Sequence, residues 1–139
     1  MRAVALLLML VTCAVNSATI TPERTGVLET DTAYAGASLA YTWETLTTTN
    51  DTGVAVQYAA YGDRSVQMTG TWGSGGSVDL EGSNDGVTYF VLHDLFGVTI
   101  SLSANGLVAV AEAVLYMRPR VTAGDGTTDI DVTVFLRGK

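Results

Sequence analysis

From residue 54 onward, apolar side chains recur at every second position in short runs separated by turn-forming clusters. Residues 64–72 set Val66, Met68, Gly70 and Trp72 on one side and Ser65, Gln67, Thr69 and Thr71 on the other. Residues 77–82 turn Val78 and Leu80 inward and Asp79 and Glu81 outward, and residues 130–136 turn Ile130, Val132, Val134 and Leu136 inward. Residues 98–103 alternate in the same way, and upstream Leu39, Tyr41, Trp43 and Thr45 share one face of residues 38–46. A period of two marks strands with one buried face, because successive Cβ atoms point to opposite sides. Shorter apolar runs at 54–59, 87–92, 107–111 and 114–118 add further strands, the last stopped by Pro119, which has no N–H for a ladder.

The punctuation agrees. Thr47–Gly53, Tyr61-Gly62-Asp63, Gly73-Ser74-Gly75-Gly76, Ser83-Asn84-Asp85-Gly86, Asn105-Gly106 and the Asp125-Gly126 turn are rich in residues that tolerate positive φ. Turns spaced roughly every 8–12 residues predict an all-β fold: a single-domain β-sandwich or jelly roll of about eight short antiparallel strands. Residues 107–115 (LVAVAEAVL) are the one stretch that also suits a short helix.

The expected division is a β-sandwich domain over residues 38–139 preceded by an apolar leader and extended arm over residues 1–37. Within the leader, Arg2 precedes a thirteen-residue uncharged run, residues 3–15, followed by small residues. This has the form of a secretory signal peptide and is too short for a comfortable membrane span. Two expectations follow. Either the leader is cleaved, or it stays attached and buries Leu7, Leu8, Leu10 and Val11 against a partner.

Composition narrows the chemistry. The net charge is −7 and only 15% of residues are charged. An acidic chain with one lysine is poorly suited to neutralising phosphates, so no direct nucleic-acid partner is expected. A single cysteine, Cys13, excludes an intrachain disulfide, and a single histidine, His93, excludes a His-cluster zinc site. No cofactor and no metal are expected.

Several residue groups could still carry a site. Asp125, Asp129 and Asp131 have the spacing of part of a calcium loop but lack its later Glu, which favours a hairpin turn. His93 and Asp94 are adjacent, so on a strand they point to opposite faces and do not form an acid–base pair. Gly73–Gly76 lacks the Lys-Ser/Thr and helix of a phosphate loop, and no G-x-S-x-G elbow is present to support a hydrolase. Tyr41, Trp43, Tyr58, Tyr61, Trp72 and Tyr89 could form a sugar-stacking platform, although aromatics alternating in strands more often pack in cores. Arg118 and Arg120 flank Pro119 and could pair with carboxylates of a partner, and Arg24 offers a cation in the arm.

Residues 64–71 (RSVQMTGT), 77–89 (SVDLEGSNDGVTY), 116–126 (YMRPRVTAGDG) and 133–137 (TVFLR) occur in an order that resembles small tailed-bacteriophage capsid decoration, or cement, proteins, over roughly residues 40–139. The resemblance implies a β-sandwich or jelly roll on the outer surface of an icosahedral head. It also implies a non-enzymatic role, bridging major capsid protein subunits, with self-association as a dimer or trimer and no membrane contact. Interface residues would be Leu7, Leu8, Leu10, Val11, Arg24, Arg118 and Arg120. The block at 77–89 also resembles a hairpin of discoidin-type domains. That likeness, with the leader, implies the alternative of a secreted or periplasmic carbohydrate-binding module.

Overall fold

The computed structural model describes residues 19–27, 38–57 and 61–138. Its strands are β1 (Thr19–Ile20), β2 (Glu23–Val27), β3 (Ser38–Leu46), β4 (Thr52–Gly53), β5 (Val56–Gln57), β6 (Tyr61–Thr71), β7 (Ser77–Ser83), β8 (Phe90–Val91), β9 (Ser101–Leu102), β10 (Gly106–Ala109), β11 (Tyr116–Ala123) and β12 (Asp129–Gly138). No helix occurs among the described residues. The strands form two sheets packed as a β-sandwich. One sheet runs β1-β4-β11-β7-β8, with β5 also on β11 and β9 also on β7; the other runs β10-β6-β12-β3-β2. Neighbours are antiparallel except for the parallel pair β1–β4.

The alternation in the sequence becomes the core. Val66 and Met68 of β6, Val78 and Leu80 of β7, Met117 and Val121 of β11 and Ile130, Val132, Val134 and Leu136 of β12 meet between the sheets with Leu39, Trp43 and Leu46 of β3. Burial of this continuous apolar layer is the main driving term for the fold. Leu92, Ile100 and Val110 extend it from the connecting loops.

Four local expectations resolve differently. The polar stretch after the leader is not a free arm throughout: Thr19–Ile20 joins the first sheet and, after Pro22, Glu23–Val27 joins the second. The N–H of Val54 donates to the carbonyl of Ile20 at 2.7 Å, so this segment clips the two sheets together along one edge. The sandwich therefore includes residues on both sides of position 38. In the run at 87–92 the strand is confined to Phe90–Val91, because the N–H groups of Val87 and Thr88 both donate to Asp85 Oδ1 at 2.8 Å and cannot join a ladder. Residues 107–115 contribute β10 and irregular backbone, no helix. Of the run at 54–59, Val56–Gln57 forms β5, while residues 58–60 lie outside the described residues.

A further difference is in β3. Leu39, Tyr41 and Trp43 face the core as the alternation predicts, but Leu46 rather than Thr45 is buried. The pairing register against β12 shifts between Val132↔Trp43 and Ile130↔Leu46, so one extra residue is accommodated in β3. Thr45 sits at that bulge with φ +55°, its N–H donating to Asp131 Oδ1 at 2.9 Å. A β-branched residue in the left-handed region is strained, whereas Asn visits it readily. Thr45→Asn is expected to raise stability by about 0.5–1 kcal/mol, read as a higher denaturant midpoint at unchanged slope. An unchanged or lower midpoint would mean the bulge carries no recoverable strain.

Candidate interaction site

The feature that stands out lies at the β8–β10 side of the sandwich. Residues 93–99 form a tight hairpin closed by the bridge His93↔Thr99. Its root is fixed in the core: the N–H of Leu92 donates to the Leu80 carbonyl at 2.8 Å and that of Ile100 to the Leu92 carbonyl at 2.7 Å, with both side chains buried. Its turn is fixed by Asp94. The Asp94 N–H donates to the Val98 carbonyl, and Asp94 Oδ1 accepts from the N–H groups of Phe96 at 2.8 Å and Val98 at 2.9 Å. Gly97, with φ +78°, closes the turn by donating to the Asp94 carbonyl at 3.0 Å.

This well-tied turn presents large apolar side chains to solvent. Phe96 is 91% exposed and Leu95 69%, and Val98 and, on β10, Leu107 are also exposed. A groove of about 290 Å³ runs between the turn and β10, lined by Asp94, Leu95, Phe96, Leu107, Val108 and Ala109. Holding such side chains in one place removes part of the ordering cost of binding. A cluster of this kind is the usual mark of a protein contact.

On the other side of the hairpin root is a cleft of about 500 Å³, with Phe90, Leu92 and Val114 among its apolar lining and Asn84, His93 and Glu112 among its polar lining. Nδ1 of His93 is 2.6 Å from Glu112 Oε1, and the His93 N–H donates to Glu112 Oε2 at 2.8 Å. Burial pushes the Glu112 carboxyl up, but these bonds from His93 outweigh it and hold the group below the usual carboxylate value. Because Glu112 accepts at Nδ1, that nitrogen carries a hydrogen. The Ser83 hydroxyl also lines the cleft, but it donates to Asp85 Oδ1 at 2.8 Å and accepts from the N–H of Gly86 at 2.9 Å. It is a loop-closing group in this geometry.

Asp85 organises the neighbouring loop. The N–H groups of Thr88 and Val87, and then the Ser83 hydroxyl, hold its pKa down to about 2. A folded value below the ordinary 3.8 means the bonds contribute fully above about pH 4 and are lost as the pH falls toward 2. The Val87 and Thr88 amides are therefore expected to lose hydrogen-exchange protection over that interval. Asp85→Asn should lower it already at neutral pH. Protection that stays constant from about pH 5 to about pH 2 would contradict this account of the loop.

The other candidate residues are dispersed. Arg118 and Arg120 lie on the outer face of β11, where Glu81 of β7 takes both: Arg118 Nε donates to Glu81 Oε2 at 2.8 Å, and Arg120 Nη1 is 3.6 Å from Glu81 Oε1. The Arg118 guanidinium also stacks 3.7 Å from the Tyr89 ring centroid. Arg24 is on β2, at the opposite edge of the other sheet from β10. Leu7, Leu8, Leu10 and Val11 lie outside the described residues.

Among the described residues the candidate aromatics do not gather into a platform. Trp43 is fully buried, Trp72 Nε1 donates to Asn105 Oδ1 at 2.8 Å, and Tyr89 covers Arg118. The side chains of Tyr58 and Tyr61 lie outside the described residues. Asp125 is a turn organiser: the Thr127 hydroxyl, then the N–H groups of Ser74 and Thr127, hold its carboxyl below the usual value. Among the described residues no group of three His, Cys, Asp or Glu could hold a metal ion.

Two elements of this region escaped the sequence reading. Glu112 was seen only inside an ambiguous apolar run, and its pairing with His93 depends on the Ala111 N–H donating to the His93 carbonyl at 2.9 Å. The Asp94-Leu95-Phe96-Gly97 turn did carry a signal: two large apolar residues between a turn-forming Asp and a Gly have no inward face to occupy. No family model, no curated protein and no solved structure matches the chain.

Proposed function

We propose that this chain is a non-enzymatic structural protein of a phage virion. In this reading it decorates the outside of an icosahedral head and stabilises it by bridging major capsid protein subunits. The observation that supports it is the rigid apolar turn of Leu95, Phe96 and Val98 beside Leu107, a preformed plug for a recess in another protein. Many copies on a symmetric lattice would multiply a modest contact per subunit. Arg120, the more exposed of the two paired arginines, could add a rim contact.

The test is sedimentation of nuclease-treated heads from the phage that encodes the chain, with the chain quantified by mass spectrometry. The reading expects it in the particle at a copy number commensurate with the capsid symmetry. Its absence from heads, with the chain free in the medium or periplasm, would overturn the reading.

One observation favours the secreted carbohydrate-binding alternative: the cleft beside exposed Phe90 combines an aromatic face with Asn84, His93 and Glu112, a set suited to a sugar ring and its hydroxyls. Glycan binding that is lost in Phe90→Ala would favour it, and silence across a glycan array would count against it.

A further inference from the structure

The outer faces of the two sheets differ in chemistry. On the sheet containing β7 and β11, cross-strand neighbours are charged: Arg118 opposite Glu81 and Arg120 opposite Asp79. On the other sheet, two central rows carry no charge across four strands. One row is Leu107, Gln67, Thr133 and Thr42; the next is Ala109, Ser65, Phe135 and Ala40. All eight side chains are exposed or half-buried. In a chain of net charge −7, a face of this kind is where a second copy meets least repulsion.

We infer that this face binds a second copy of the chain across a two-fold axis. The two rows are complementary to each other. An in-plane axis lying across the strands, between the rows, stacks each strand antiparallel on its counterpart and sets one row against the other row of the partner. Leu107 then meets Ala109, Gln67 meets Ser65, Phe135 meets Thr133, and Thr42 meets Ala40. In each strand the larger side chain faces the smaller one, which lets two flat faces interdigitate at ordinary sheet-packing distance. The same operation brings the ends of β12 together, Asp131 of one copy against Arg137 of the other.

Neither end is locked against this. Arg137 pairs with Asp63 of its own chain at 2.7 Å, but that pair is exposed and so weak. Asp131 holds the Thr45 N–H through Oδ1. The contact spans about 15 Å across the strands and about 20 Å along them, small beside the roughly 800 Å² per partner of a standard interface. The dimer is accordingly weak in solution and strengthened wherever copies are held close together. The inference does not rest on the capsid reading.

Sedimentation equilibrium of the full chain between about 1 µM and about 500 µM tests it, with no capsid present. The wild-type chain is expected to dimerise with a Kd on the order of 100 µM. Arg137→Asp sets two carboxylates against each other at both ends and should raise Kd at least about tenfold, and Asp131→Arg combined with Arg137→Asp should restore it to within about threefold. Thermal melts confirm that each variant is folded. Phe135→Lys, exposed on the same face, should abolish the dimer without touching the core. A monomer throughout the range overturns the inference. So does an Arg137→Asp chain that dimerises like the wild type, a folded double variant that stays monomeric, or a dimer lost on Phe96→Ser but kept in Phe135→Lys.

Discussion

Replacing Trp43 by alanine is expected to cost about 4 kcal/mol of folding stability, a large fraction of the roughly 5–15 kcal/mol of an ordinary domain. Trp43 is fully buried on β3 between the sheets, and its Nε1 donates to the Val54 carbonyl at 2.9 Å. The ring therefore fills the core and also satisfies a backbone acceptor in the loop between β4 and β5. Removing it opens a cavity and leaves that acceptor without its donor. Trp43→Phe keeps most of the volume and should cost less, about 1.5–3 kcal/mol. Gly53 is part of the same arrangement: a Cβ there would stand 2.5 Å from Trp43 Cδ1 and 2.8 Å from Pro119 Cδ, so Gly53→Ala should displace the ring and destabilise measurably. Guanidinium unfolding of the three variants gives the order. If Trp43→Ala lost less than about 2 kcal/mol, Trp43 would not be the central packing residue described here.

The second large effect concerns binding. In the proposed capsid role, Phe96→Ser combined with Leu95→Ser is expected to weaken attachment to phage heads by at least about 100-fold, equivalent to about 3 kcal/mol. Both side chains are exposed, so the folded state should change by no more than about 0.5 kcal/mol. That separation makes the pair informative, because lost binding cannot be attributed to lost folding. Asp94→Ala leaves the apolar residues in place but removes the acceptor for the N–H groups of Phe96 and Val98. It should weaken attachment by a smaller factor, about tenfold, by letting the turn become mobile before binding. The readout is binding of purified variants to heads that lack the chain. Wild-type affinity of the double variant would show that the turn is not the contact.

The sandwich was legible because its strands have a strict period. Where both faces of a residue run are decided by alternation, as in 64–71, 77–82 and 130–136, the buried apolar side chains are the expected ones; Glu81, expected outward, is on the outer face but buried beneath Arg118 and Arg120. Legibility failed where a side chain competes with the ladder. Asp85 captures the N–H groups of Val87 and Thr88 and shortens the strand there to Phe90–Val91, and the bulge at Thr45 reverses the phase so that Leu46 is buried. Neither event alters the apolar pattern, so periodicity is blind to both. The polar segment after the leader was hard to place for a different reason. Its strands gain stability from pairing with β3 and β4 rather than from an apolar period of their own.

The interaction site was less legible. Arg118 and Arg120 drew notice as adjacent cations, yet their partner Glu81 is 37 residues from Arg118 in the chain and becomes visible only through the register of β7 on β11. The significance of the apolar turn depends on the exposure of Leu95 and Phe96, which the fold decides. The uncharged face is likewise a property of register: its eight residues come from four strands and share no motif.

In the proposed function the Phe96 turn contacts the major capsid protein. The direct measurement is photocrosslinking on assembled heads, with a photoreactive residue at position 96 and a control at Thr25 on the opposite edge strand, followed by mass spectrometry of the adducts. The proposal predicts crosslinks from position 96 to the major capsid protein and few or none from position 25. Decorated heads in which position 96 yields no capsid adduct, or heads that never carry the chain, would contradict it.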